Sequence, residues 1–95
     1  MINESSEIVN LPITGTLDLH NFNPKEIKDL VNEYLLECQK AGILSGRIIH
    51  GKGMGTLQKT VRSILDKNNS VLGFQLGNES NGGWGSTSFQ LKPLD

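Results

Sequence analysis

A chain of 95 residues with a formal net charge of −1 has room for one modest core, and 36% apolar residues together with 11 Gly match a globular composition. The near balance of 9 Lys and Arg against 10 Asp and Glu excludes a protein that grips polyanions with its whole surface, and a lone Cys38 excludes an internal disulfide or a cysteine-rich zinc site. No apolar run approaches the ~20 residues of a membrane span, and the acidic start Met1-Ile2-Asn3-Glu4 lacks the basic flank of a secretory signal, so a cytoplasmic protein is expected.

Residues 1–10 are polar, with only Ile8 and Val9 available to pack, and read as a flexible arm ahead of a single domain over 11–95. From Ile13 onward the pattern becomes strand-like. Leu17 and Leu19 alternate with Thr16, Asp18 and His20, which puts Asp18 and His20 on one face. Asn23-Pro24-Lys25-Glu26 predicts a helix start, with Asn as cap, Pro in the first turn and Glu reaching back. Ile27, Leu30, Val31, Tyr34, Leu35 and Cys38 then recur at helical spacing, and Gly42 suits a left-handed stop.

Arg47–His50 predicts a short strand that runs into a glycine turn, from which a second helix starts with Leu57, Val61, Ile64 and Leu65 on its apolar face. Val71–Leu76 and Gly85–Leu91 predict two further strands around a polar, mobile loop at 77–85. The order is β-α-β-α-β-β. Right-handed crossovers place both helices on one face, so the expected fold class is α/β, a two-layer sandwich whose mixed four-stranded sheet leaves its other face without helices.

Cys38 to Leu65 contains Lys40, Arg47, Lys52, Lys59 and Arg62 and no Asp or Glu, so a local, salt-sensitive basic patch is expected on a neutral body. Within it, His50-Gly51-Lys52-Gly53-Met54-Gly55 joins a strand to a helix, the arrangement that turns backbone N–H groups toward phosphate. The spacing is not that of a P-loop, which disfavours ATP hydrolysis.

Ligands of parallel α/β sheets gather beyond the carboxyl ends of the strands, where Asp18, His20, His50 and Lys52 all map; if the two strands are neighbours, the four side chains converge on one phosphate. There His20 can move a proton, Asp18 can orient it or hold a hydrated divalent ion, and Lys52 with the amides of Gly51, Gly53 and Gly55 can stabilise phosphoryl oxygens. Arg62 is a more distant positioning charge. An isolated Asp-x-His pair is also the mark of a hydrogen-bonded strand end, and His50 at the end of a strand reads first as a structural group. Trp84, between Gly83 and Gly85, suits either stacking on a base or covering the core edge. Tyr34, Phe74 and Cys38 read as core.

Leu17-Asp18-Leu19-His20, His50-Gly51-Lys52-Gly53-Met54-Gly55-Thr56-Leu57 and Gly82-Gly83-Trp84-Gly85-Ser86-Thr87 occur together in order. With these three motifs the chain resembles the Smr, or small MutS-related, domain over roughly residues 11–91. The resemblance implies a fold similar to the C-terminal domain of translation initiation factor three, and endonuclease action that nicks or cleaves phosphodiester bonds in DNA or RNA. It implies Asp18 and His20 as catalytic residues, with Asp18 the candidate for any metal. It implies His50, Gly51, Lys52, Gly53, Gly55, Gly83, Trp84 and Gly85 as contacts to nucleic acid, to which the charge of Arg62 adds. A divalent cation such as Mg or Mn is a possible cofactor under this reading, a nucleotide is not, and no membrane partner is expected. The alternative function is a non-catalytic nucleic-acid or ribosome-binding adaptor. Two departures from the family pattern stand out: Asn21 where Gly commonly follows the first motif, and Gln58 where a basic residue is common.

Overall fold

The computed structural model describes residues 12–51, 55–77 and 85–94. The elements run β1 (Thr16–Asp18), α1 (Ile27–Lys40), β2 (Ser45–Ile49), α2 (Thr56–Lys67), β3 (Val71–Leu76) and β4 (Ser86–Leu91), the order expected from the periodicities. The 1–10 arm and most of the 77–85 loop lie outside the described residues.

The start of α1 follows the local chemistry of its sequence. Asn23 accepts from the Lys25 amide, Glu26 returns a bond to the Asn23 amide, and Pro24 opens a short 3₁₀ turn at Pro24–Glu26 that leads into the helix. Its end is a left-handed glycine stop. Gly42 has φ +77°, and the Ile43 and Gly42 amides return to the Cys38 and Gln39 carbonyls, satisfying groups that a helix end leaves open.

The sheet order is β1-β2-β4-β3, with β1 parallel to β2 and β4 antiparallel to both of its neighbours. The last strand therefore inserts between β2 and β3. Leu17, Ile48, Thr87, Phe89 and Leu91 are buried, and they pack with Ile27, Leu30, Val31, Tyr34 and Leu35 of α1 and Val61, Ile64 and Leu65 of α2 in one core between sheet and helices. The opposite face carries polar residues in register, among them Thr16 beside Arg47 and Ser88, and Asp18 beside Ile49 and Ser86. A bulge between Val71 and Gly73 leaves Leu72 65% exposed, a position that strict alternation does not reveal.

Tyr34 ties the entry of β1 to α1. Its buried hydroxyl accepts from the Gly15 amide at 3.0 Å and donates to the Thr16 carbonyl at 3.1 Å. Tyr34→Phe strands a buried amide and is expected to cost about 2 kcal/mol, measurable as a lower denaturant midpoint at unchanged slope. Cys38 is fully buried, and burial pushes its thiol pKa up, so it is a core residue and not a nucleophile.

Candidate nucleic-acid interface

The chain emerges from β1 at Asp18 and turns at once. The Asp18 carboxylate accepts from the His20 backbone amide at 3.0 Å, closing a local Asx-type loop, and from His20 Nδ1 at 2.8 Å. A carboxylate only accepts, so Nδ1 carries a proton, and in the neutral ring Nε2 is the nitrogen that keeps its lone pair. Both groups meet solvent, with His20 71% and Asp18 46% exposed at the side chain. The pair lines an open groove of about 500 Å³ together with Thr14, Thr16, Asn21 and Phe22.

Hydrogen bonding by the His20 amide, and then by its ring, holds the Asp18 carboxyl below its ordinary pKa. A depressed carboxylate contributes stability above the unfolded-state value, and that contribution disappears as pH falls through the folded-state one. In a ¹³C-detected titration, the Asp18 midpoint should lie below that of an unstructured Asp. His20→Ala should raise it only part of the way, because the amide bond is the larger cause.

The turn after His20 forms without the glycine common in the family. Asn21 does not take a left-handed conformation, since no described non-glycine residue has positive φ. The Phe22 amide instead bonds the Leu19 carbonyl at 3.0 Å, closing an ordinary four-residue turn that Asn accommodates.

The carboxyl ends of β1 and β2 are adjacent, joined by the Leu19 amide on the Ile49 carbonyl at 2.9 Å. Adjacency does not bring Asp18 and His50 to one face. Asp18 shares a register row with Ile49, whereas His50 has the opposite parity and turns to Thr87 on the helix-covered side. His50 is buried, with Nδ1 at 3.0 Å from the Gly51 carbonyl and Nε2 at 2.8 Å from Thr87 Oγ1. The carbonyl requires a proton on Nδ1, and in the neutral ring Thr87 donates to Nε2. With both nitrogens engaged, His50 is a strut that shapes the turn.

The Gly51 amide is also committed: it and the His50 amide both donate to the Gly85 carbonyl, at 2.9 and 2.8 Å, so Gly51 does not offer its N–H to phosphate. What Gly51 supplies is shape. With φ +84°, and with Gly55 at +82°, it brackets Lys52–Met54 with two left-handed positions that other residues rarely adopt. Gly55 caps α2 without a side chain, and a Cβ at either glycine would meet open space. The first-turn amides of α2 therefore carry no side-chain cap. Lys52, Gly53, Gly83 and Trp84 lie outside the described residues. Arg62 is exposed on α2, two turns from Gly55.

Two residues of the third motif received no individual role in the sequence reading. Thr87, buried on β4, holds His50; its place in the third motif was the available signal. Ser86 lies in the register row of Asp18 and Ile49, and its buried hydroxyl has no hydrogen-bond partner. Among the described residues no three His, Cys, Asp or Glu side chains cluster as a metal site. Asp18 and His20 are two donors from one short loop, too few to hold an ion alone, so a hydrated cation there would need water and substrate phosphate to complete its shell. No described helix is long and apolar enough to cross a membrane.

The three motifs thus meet at one end of the sheet, the first beside the second through Leu19 and Ile49, the second knit to the third through Gly85 and Thr87. The family model for the Smr domain matches residues 17–92. The chain belongs to the Smr domain family. Among curated proteins, the protein named endonuclease MutS2 of Halothermothrix orenii is 36% identical over 80 residues, 84% of this chain and 10% of that protein. The one from Staphylococcus carnosus is 38% identical over 76 residues, 80% of this chain and 10% of the relative. This Smr domain therefore spans about a tenth of the length of the curated relatives it matches.

The crystal structure of the Smr domain of Thermus thermophilus MutS2 superposes with a TM-score of 0.77 at 30% identity, covering 84% of this chain and 100% of that one. YdaL, a stand-alone small MutS-related protein from Escherichia coli, superposes with a TM-score of 0.70 at 24% identity over 85% of this chain and 66% of its own, a likeness of fold.

Proposed function

We propose that this Smr domain binds the phosphodiester backbone of DNA or RNA at the carboxyl end of its sheet and hydrolyses it with His20 as general base. One observation carries the reading: the 2.8 Å contact of His20 Nδ1 with Asp18 at the groove, which places the proton of a neutral ring on Nδ1 and leaves Nε2 as the nitrogen able to accept one. In this role Nε2 takes the proton of the attacking water as its oxygen bonds phosphorus and the bond to the leaving oxygen breaks. Asp18 stabilises the imidazolium that forms. The bracketed glycine turn and the N-terminal amides of α2 hold phosphate oxygens, with Lys52 and Arg62 as supplementary charges. Kinship with the Smr domains of proteins named endonuclease MutS2 supports the same reading. We place the protein in the cytoplasm on the strength of its single, buried cysteine.

The exposure of Asp18 and His20 favours a second reading, an adaptor that binds without cutting, because an open site does not exclude water from its charges. Purified protein with supercoiled plasmid or structured RNA separates the two. Cleavage that depends on His20 supports the hydrolase. Binding without cleavage, weakened and made less salt-dependent by Lys52→Ala, supports the adaptor. A parallel titration of Mg²⁺ and Mn²⁺ against a chelator tests for a cation at Asp18.

A further inference from the structure

A second groove, of about 570 Å³, runs between α1 and α2 on the side of the helices away from the sheet. Lys28 of α1 and Lys59 and Lys67 of α2 line it, and no Asp or Glu does. None of the three lysines makes an ion pair among the described residues, whereas Lys40 sits 3.4 Å from Glu37. The Asn68 side chain donates to Asn32 at 2.9 Å, bracing the two helices across the groove, and Ser63 adds a hydroxyl between the lysines.

Three unpaired cations along one groove repel one another and are offset by an anionic occupant. Lys59 to Lys67 spans about 12 Å along the helix, a length that suits several successive phosphates. The groove also has a direction. Lys59 lies one turn beyond Gly55, where its amide bonds the Gly55 carbonyl at 3.0 Å, so the groove begins beside the glycine turn and leads away from it. Ile64 is the single hydrophobic residue lining the groove, and the charges along it are all positive, which suits a polyanion.

We infer that the α1–α2 groove is a second binding track for the phosphodiester backbone, continuing from the glycine turn along α2. This rests on the nucleic-acid reading of the site and extends it to a surface that uses Lys28 and Lys67, both outside the acid-free stretch of sequence.

The test is fluorescence anisotropy of the full chain with a labelled single-stranded oligonucleotide across a salt series, comparing wild type with the triple variant Lys28→Gln, Lys59→Gln, Lys67→Gln. All three side chains are exposed and Gln is a good helix former, so the fold is expected to persist, checked by circular dichroism. Loss of three phosphate contacts flattens the salt slope by about 2, so that wild type loses roughly 20-fold more affinity than the variant between about 50 and 200 mM salt. The control variant Lys25→Gln, Lys92→Gln, exposed and outside the groove, should keep the wild-type slope. Unchanged binding by the triple variant, or equal flattening by the control, overturns the track and leaves the glycine-turn site standing. Absence of wild-type binding at low salt overturns both.

Discussion

His20→Ala is expected to lower the rate of phosphodiester cleavage by about 10²- to 10⁴-fold, the usual worth of a positioned general base. The variant should fold, because the ring is largely exposed and makes one side-chain contact, to Asp18. Asp18→Asn keeps the shape and an acceptor for Nδ1 while removing the charge that stabilises the imidazolium, so it should slow cleavage by a smaller factor and leave binding intact. The pattern across the two variants separates catalysis from binding: a fall in kcat at constant KM belongs to a proton-transfer group, and a rise in KM alone to a phosphate contact. Equal cleavage by wild type and both variants would expose a contaminating nuclease and remove the catalytic reading.

Gly46→Ala carries the largest expected effect on stability. Gly46 lies in β2 beside the point where the chain enters β1, and a Cβ there would drive into the Gly15 carbonyl and stand 2.8 Å from Phe89 Cζ. Neither neighbour yields cheaply. The Gly15 carbonyl accepts from the Arg47 amide at 2.7 Å, Gly15 itself has φ +97° with its amide on Tyr34, and Phe89 is buried in the core. Overpacking against backbone and a buried ring is expected to cost about 3 kcal/mol, which in a domain of this size lowers Tm by roughly 12 to 24 °C. Gly73→Ala serves as the internal control: its Cβ would meet open space and its φ is unexceptional, so thermal denaturation should show no loss. A Gly46→Ala protein that melts with wild type would refute the close approach of β1 and β2 at this point.

The elements and their order were legible because each rests on local physics. Asn23, Pro24 and Glu26 satisfy the start of α1 within four residues, Gly42 ends it, and the apolar stripes of both helices repeat at 3.6. Asp18 and His20 were also local: two positions apart on a strand end, they meet whatever the rest of the chain does. Asn21 departs from the family pattern without loss of the turn. The family pattern suggested a glycine-like turn, whereas an amide of Phe22 on Leu19 closes it with ordinary dihedrals.

Sequence alone determined the α/β class, the succession of elements and the Asp18–His20 pair, since these depend on periodicity, capping and spacing along the chain, and its three motifs carried the resemblance to the Smr family. Tertiary structure decided the rest. A hairpin pattern is silent on which side of β3 the final strand pairs, and β4 inserts beside β2, where Thr87 and Gly85 engage His50 and Gly51. Sheet parity then directs Asp18 to the face without helices and His50 to the covered one. The packing of α1 on α2 likewise brings Lys28 to Lys59 and Lys67, which no window of sequence joins. Contacts between distant segments are set by how the core closes, and a charge or a hydrogen-bond donor acquires its role only when that closure fixes what stands opposite it.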